Sequence, residues 1–372
     1  MERDSKVYIA GHRGLVGSAI LRNLKKKVYT NLITRTSKEF DLRGQANTER
    51  FFKKEQPEYV FLSAAKVGGI LANNTYKAEF IYDNIMIAAN VINSAYKYGV
   101  KKLLNLGSSC IYPKFSSQPM KEEYLLTGSL ESTNEPYAVA KIAAIKLCRY
   151  YNEQYETNFL SVMPTNLYGP NDNFDLETSH VLPALIRKMY LGKCLQLGDF
   201  NNIIKDLQKY PIRTYDVTQI NNKEIANLLS QFGIKSNNSS PNAYHSSLST
   251  TVEIWGSGKP YREFLYVDDL ADACVFLMEH CDYRDIGEFI NIGAGKDIEI
   301  RDLAEVVREI IGFEGEIKYD LSKPDGTPRK LLDSSRINSL GWKPKTSLEE
   351  GIKKTCRWYI SSITGSKLSI ST

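Results

Sequence analysis

Val7-Tyr8-Ile9-Ala10-Gly11-His12-Arg13-Gly14-Leu15-Val16-Gly17 is the stretch of this 372-residue chain that decides its fold class. Four apolar residues in a row read as a strand buried on both faces, as in a parallel sheet. A GxxGxxG follows at once, and Ser18 to Lys26 has helical composition. Placed between strand and helix, such glycines permit a tight turn, close approach of backbone to a pyrophosphate, and close packing of helix on strand. The helix N-terminus then offers unpaired N–H groups to phosphate. Gly11, Gly14 and Gly17 are therefore candidate dinucleotide-binding residues, and the strand–glycine–helix order separates this reading from a merely structural turn.

Outward from this stretch the alternation continues. Asn31–Thr34, Tyr59–Leu62 and Lys102–Leu106 read as strands, with helices over Thr48–Glu55 and Ala78–Tyr98 between them. Strands alternating with helices predict a Rossmann-type, doubly wound parallel sheet in an α/β protein. Phe159–Met163 reads as a further strand and Phe289–Ile292 as a late one returning to the sheet, while Ile300–Ile311 and Ser347–Tyr359 read as helices. The expected organisation is a nucleotide-binding domain over 1–170 and, over 171–372, a smaller, discontinuous C-terminal α/β domain that holds the substrate. One segment differs in composition: Gln196–Thr250 carries eight Asn and seven Ser. That density of turn formers predicts loops or partial disorder, with a short amphipathic helix over Asn222–Phe232.

The second strand ends at Thr34-Arg35-Thr36, where an adenosine ribose with a free 2′-hydroxyl is usually met by Asp or Glu. Arg35, with Arg13 inside the glycine loop, suits a 2′-phosphate instead, through charge-assisted, bidentate hydrogen bonds. The expected cofactor is thus NADP (NADPH) rather than NAD, with Asp41 and Leu42 near the adenine.

Gly107-Ser108-Ser109-Cys110 follows the fourth strand, and Pro136-Tyr137-Ala138-Val139-Ala140-Lys141 lies downstream. The YxxxK spacing puts Tyr137 and Lys141 on one helical face, a turn apart, and Pro136 suits a helix start. A phenol is a weak acid at neutral pH, and a neighbouring ammonium favours its anion. Tyr137 can then hand a proton to a carbonyl oxygen as hydride arrives, while Ser108 donates a hydrogen bond to that oxygen.

With these residues the chain resembles the extended short-chain dehydrogenase/reductases, and within them the GDP-L-fucose synthase family. The blocks that carry the narrower resemblance are GHRGLVGSAI, AAKVGGILANNTY, LGSSCIYPK, TNEPYAVAKIAAIKLC, SVMPTNLYGPNDNF, SHVLPAL, WGSGKPYREFLYVDDLA and SKPDGTPRKLLD. The resemblance implies a bifunctional 3,5-epimerase and 4-reductase that acts on a GDP-linked 4-keto-6-deoxy sugar with NADPH. It implies Cys110 and His180 as the acid–base pair at the carbons beside the ketone, where cysteine and histidine have suitable pKa values. It implies sugar-nucleotide contacts from Trp255, Arg262 and Lys330, Asn166 near both nicotinamide and sugar, Lys141 also on the cofactor, and a homodimer. In the family SHVLPAL passes to WGSG through a short link, whereas here the Asn/Ser-rich segment intervenes. Its attachment beside the substrate half makes the same chemistry, or 4-keto reduction alone, on a GDP-4-keto-6-deoxy-heptose for surface polysaccharide the alternative. A 4,6-dehydratase carries an acid pair where this chain has Cys110-Ile111, and a UDP-sugar 4-epimerase using NAD favours an acid where Arg35 stands. A non-catalytic NADP-binding scaffold has no need of Ser108, Cys110, Tyr137, Lys141 and His180 together.

Composition excludes other classes. The chain is 42% hydrophobic and 24% charged, too apolar for long disorder. Its 48 basic and 43 acidic residues leave a net charge of +5 without a concentrated basic stripe, which argues against nucleic acid. No run of 18 apolar residues exists, so no membrane span is expected. The six cysteines form no CxxC and the four histidines are scattered, so no metal site is expected. Free thiols without a secretory leader point to the cytoplasm.

Overall fold

The computed structural model describes residues 1–212, 221–236 and 250–365. From the N-terminus the chain runs β1 (Val7–Ala10), α1 (Leu15–Lys26), β2 (Leu32–Ile33), α2 (Gln45–Glu55), β3 (Tyr59–Leu62), α3 (Ile70–Thr75), α4 (Lys77–Lys97), β4 (Lys102–Leu106), α5 (Glu135–Tyr155), β5 (Phe159–Pro164) and β6 (Asn166–Tyr168). Then come α6 (Val181–Gln196), α7 (Phe200–Lys209), α8 (Asn222–Ser230), β7 (Ile234–Ser236), β8 (Thr250–Trp255), β9 (Tyr261–Tyr266), α9 (Val267–His280), α10 (Tyr283–Ile286) and β10 (Ile290–Ile292). The remainder holds β11 (Asp297–Glu299), α11 (Ile300–Ile311), β12 (Glu316–Asp320), β13 (Arg329–Lys330), α12 (Ser335–Ser339) and α13 (Leu348–Thr364).

Two compact units are built from interleaved segments. The first comprises Met1–Asn171, Glu263–Asp297 and Lys330–Thr346, the second Asp172–Arg262, Ile298–Arg329 and Ser347–Thr372. In the first unit six strands form a sheet in the order β2-β1-β3-β4-β5-β10, parallel throughout. This is the doubly wound Rossmann-type sheet that the alternation predicts. Strands run outward from β1 in both directions, so the crevice at the carboxyl ends of β1 and β3 is the ligand position for such sheets.

Both faces of this sheet are covered, as the continuous apolar strands require. Val7 and Ile9 of β1 pack with Ile20 and Leu24 of α1 and with Leu270, Cys274 and Leu277 of α9. Tyr8 and Ala10 point the other way, among Phe52 of α2, Val91 and Ile92 of α4 and Cys148 of α5. The late strand expected near 289–292 is β10, with Ile290 opposite Val162. More of the late sequence joins this unit than that strand: α9 and the 330–346 stretch belong to it as well. Parallel pairing is the reason, because a strand joining the sheet in parallel needs a crossover of a dozen or more residues to reach it.

In the second unit β8 lies between β12, which is parallel to it, and β7, which is antiparallel. Here one expectation is corrected. Gln196–Thr250 was expected to be loop apart from one helix, yet its described part contains α7, α8 and β7; residues 213–220 and 237–249 lie outside the described residues. Turn formers within it act as caps. Asp199 accepts the Asn202 amide at the start of α7, and Asn221 forms a capping box with Glu224 at the start of α8. A fully buried ion pair anchors α7: Arg187 Nε and Nη2 donate to Asp206 Oδ1 at 2.9 and 2.8 Å. Tyr359 of α13 donates its hydroxyl proton to the other oxygen of Asp206. Arg187 also donates to the carbonyls of Phe174 and Tyr210.

Candidate active site

Everything in the glycine loop follows from how little space it has. Gly11 has φ +84°, and a Cβ on Gly17 would lie 2.2 Å from the Gly11 carbonyl oxygen. Neither position can take a side chain without opening the turn. Gly14 differs: its backbone is exposed, and a Cβ there would meet only the Gly11 oxygen, at 3.5 Å. Gly14 also caps α1 without a side chain, and the first turn of α1 holds no acidic residue. The helix N-terminus therefore presents N–H groups on an open face, with Arg13 exposed beside them. An anion such as a pyrophosphate fits these residues.

At the end of β2, Arg35 donates to the Thr34 carbonyl at 2.8 Å and to Glu55 at 2.9 Å. Its guanidinium lies 6.0 Å from the centroid of the Phe51 ring. Glu55 thus holds the guanidinium at the strand end but leaves the group half exposed, free on one side for a phosphate. Asp41 is tied up by Arg43, which donates to both its oxygens and to Asp83 as well. The Leu42 side chain is buried in the core, and its carbonyl accepts from Thr48 and Asn90.

Four of the predicted residues meet beyond β4. The chain turns into a short 3₁₀ segment over Ser109–Ile111, capped by Ser108, whose Oγ accepts the Cys110 amide at 3.4 Å. The Ser108 hydroxyl lies beside the Tyr137 hydroxyl and the Cys110 thiol, and its polarity favours the ionised form of each. Tyr137 and Lys141 lie a turn apart on α5, as their spacing predicts. Lys141 is buried and donates to the Leu106 carbonyl at 2.6 Å, which locks α5 against the end of β4. Its ammonium sits 5.6 Å from the Tyr137 ring centroid.

Burial dominates the electrostatics here. It lowers the Lys141 pKa to about 8, with Cys110 opposing. It raises the Tyr137 hydroxyl well above the ordinary phenol value; the Cys110 charge adds to this and the Ser108 hydrogen bond opposes it. The Cys110 thiol is pushed up too, again by burial, while Ser108, Lys330 and Lys141 pull it back down. At neutral pH Tyr137 is therefore a proton donor, and Cys110 is a thiol whose anion two ammonium groups help to stabilise. Asn166, at the start of β6, donates its carboxamide N–H to the Glu263 carbonyl at 2.8 Å.

Lys330 belongs to the first unit, while His180, Trp255 and Arg262 belong to the second. His180 is exposed at the N-terminal cap of α6, where its carbonyl accepts the Ala184 amide at 3.1 Å. Trp255 is exposed at the end of β8, with the Lys323 ammonium 5.4 Å from its ring centroid. Arg262 donates to the Tyr261 carbonyl at 2.7 Å; burial lowers its pKa, and Asp325 opposes the shift. Asp325 also accepts the amide and hydroxyl of Ser257 at 2.8 and 2.7 Å.

Sequence reasoning missed Lys188. It lies on α6 and donates to the Glu253 carbonyl at 2.8 Å. Burial lowers its pKa to about 8, with Glu253 opposing. Among the described residues no group of His, Cys, Asp and Glu could hold a metal ion, and no helix is long and apolar enough to cross a membrane.

Comparison with known proteins adds three kinds of relative. A model of the NAD dependent epimerase/dehydratase family matches residues 7–205 and 222–293. The chain is 50% identical to GDP-L-fucose synthase 1 of Arabidopsis thaliana over 97% of its length and 95% of that protein's. It is 42% identical to the crystal structure of a GDP-6-OMe-4-keto-L-xylo-heptose reductase from Campylobacter jejuni, with 97% and 99% of the chains covered and a TM-score of 0.87. A GDP-D-glycero-L-gluco-heptose synthase from the same organism, solved in the presence of NADPH, is also 42% identical, with 96% and 99% covered and a TM-score of 0.84.

Proposed function

Because the chain belongs to the NAD dependent epimerase/dehydratase family, we propose that it is an NADPH-dependent epimerase/reductase of a GDP-linked 4-keto-6-deoxy-hexose. It epimerises C3 and C5, then reduces the ketone at C4. The observation that carries this reading is Ser108, whose Oγ accepts the Cys110 amide at 3.4 Å and whose hydroxyl lies beside that of Tyr137. One residue thereby joins a proton donor for a carbonyl oxygen to an acid–base group for the neighbouring carbons. The relatives acting on GDP-sugars add support.

Arg13, Arg35 and the open N-terminus of α1 would hold NADPH, with Lys141 and Asn166 toward its nicotinamide end and Asp41 and Leu42 toward its adenine. When bound, the cofactor supplies the hydride for C4. Cys110 and His180 form the pair that removes a proton from one face of the carbon and delivers one to the other. Ser108 holds the ketone oxygen through epimerisation, where it stabilises the enolate, and again in reduction. Tyr137 then protonates that oxygen, and the Lys141 ammonium stabilises the phenolate left behind. Arg262, Lys330 and Trp255 bind the diphosphate and sugar.

A second reading, 4-keto reduction on a 4-keto-6-deoxy-heptose, is favoured by the two heptose-processing structures. Incubation with NADPH and GDP-4-keto-6-deoxy-mannose, or its heptose analogue, separates the two. Faster NADPH oxidation with the hexose and a product inverted at C3 and C5 support the first reading. Turnover of the heptose alone, without inversion, supports the second. Equal or better kcat/KM with NADH overturns the roles of Arg13 and Arg35, and no oxidation with either sugar points to a scaffold.

A homodimer is part of the same proposal. Tyr76, Tyr82, Tyr150 and Tyr155 are exposed on or beside α4 and α5, and Ala78, Ile81, Pro136 and Val139 line a groove between these helices. Such an apolar surface suits a second copy, and Tyr82→Glu with Val139→Glu should give a monomer by light scattering. The expected compartment is the cytoplasm, in keeping with six unpaired, buried cysteines.

A further inference from the structure

We propose that Glu263 is a positioning residue, whose fully buried carboxylate and carbonyl together set Asn166 and the segment carrying Lys330 for the sugar nucleotide. This inference rests on the sugar-nucleotide roles proposed above for those two residues.

Glu263 has no exposed surface. A carboxylate in such a place ordinarily pairs with a cation, because an unpaired buried charge is costly. Glu263 is met by backbone amides instead. Its Oε1 accepts the Gly295 N–H at 2.7 Å, just after β10, and its Oε2 accepts the Leu332 N–H at 3.0 Å, just after β13. The nearby Ala294 amide also favours the charged carboxylate. Its main-chain oxygen accepts twice more, from Thr165 Oγ1 at 3.2 Å and from Asn166 Nδ2 at 2.8 Å. One residue of β9 therefore ties together the start of β6, the loop after β10 and the stretch two residues past Lys330.

The space for this arrangement is cut to size. A Cβ on Gly293 would lie 2.4 Å from Glu263 Oε1, so the loop after β10 can close over the carboxylate only with glycine there. Burial raises the Glu263 pKa, and the amide hydrogen bonds oppose that rise. An acceptor on both oxygens is what the geometry requires. Glutamine offers one carbonyl and one amino group, and the amino group would face an N–H donor. Either Gly295 or Leu332 must then withdraw, and the second withdrawal carries Lys330 with it. The Asn166 carboxamide loses its orientation as the β9 main chain relaxes.

The test is steady-state kinetics of full-length wild type and Glu263→Gln with NADPH and the GDP-4-keto sugar. The expected result is a KM for the sugar nucleotide raised roughly five- to twentyfold, with the KM for NADPH within twofold of wild type. Thr165→Val removes only the hydroxyl that donates to the Glu263 carbonyl. It keeps the side-chain volume and should give a smaller change of the same kind, so the inference stays testable if Glu263→Gln does not fold. Unchanged sugar-nucleotide KM in whichever variants fold overturns the inference, as does an equal rise in both KM values. A wild type inactive on the sugar nucleotide overturns the proposed function instead.

Discussion

Tyr137 and Lys141 face opposite demands from burial: it keeps the phenol protonated and presses the ammonium to give up its proton. Replacing Tyr137 with Phe removes the proton donor while leaving the ring beside Phe80, which it meets edge-on at 6.4 Å. NADPH oxidation should fall at least 10²-fold while the protein stays folded; near-normal turnover would remove Tyr137 from the mechanism. The Lys141 pKa near 8 makes a separate prediction. Below that value Lys141 is charged and stabilises the phenolate formed in reduction; above it the charge is lost while Tyr137 is still a phenol. The kcat/KM for reduction should therefore decline as pH rises through about 8. A profile flat to pH 9.5 would show that the ammonium is not required. Cys110 offers a contrast, since Cys110→Ser should spare hydride transfer to an already epimerised ketone and slow proton exchange at C3 and C5, read by deuterium uptake from solvent.

Among the elements, α7 shows most clearly where the sequence could and could not be read. β1, β3 and β4 have the limits their apolar runs predict, and α11 spans Ile300–Ile311 as its periodicity predicts. Tyr137, Lys141 and Ser108 were legible because a turn of helix and one short loop carry them, whereas Cys110 was named through the resemblance. α7 and β7 were not legible, because the Asn and Ser density of their segment reads as loop, although Asp199 and Asn221, both turn formers, cap α7 and α8. Lys188 and Glu263 stayed hidden for another reason: their partners are backbone groups far off in sequence, and no residue pattern announces a carbonyl or an amide. The buried Arg187–Asp206 pair that docks α7 gives a prediction at this scale. Arg187→Ala leaves the Asp206 charge uncompensated and should cost about 3–5 kcal/mol, measured by urea unfolding. Replacing both partners together, as Arg187→Met with Asp206→Leu, should cost much less. Equal losses from the single and double changes would show that the pair's charges do not matter.

At the scale of the whole molecule, the two units are interleaved along the chain. Passage between them occurs at residues 171–172, 262–263, 297–298, 329–330 and 346–347. The first unit consequently draws part of its core from late residues: Ile337 and Trp342 lie in the cluster with Val7 and Ile9, and Trp342 donates to Asp272 at 3.1 Å. A fragment of residues 1–171 holds the glycine loop and the YxxxK pair but lacks β10 and α9. It should expose apolar surface to a hydrophobic dye and unfold without a cooperative transition; a sharp transition would show that the late segments are dispensable.

The interleaving also bears on how the protein is made. A ribosome releases the glycine loop long before the tryptophan that completes the core beneath it, Trp342. For most of translation the nascent chain must carry an unfinished sheet edge at β5, open to wrong partners until Ile290 arrives. Vectorial synthesis therefore gives this protein no early, self-sufficient half: maturation is a late, concerted event, and a premature stop before Trp342 forfeits the glycine-loop unit as well.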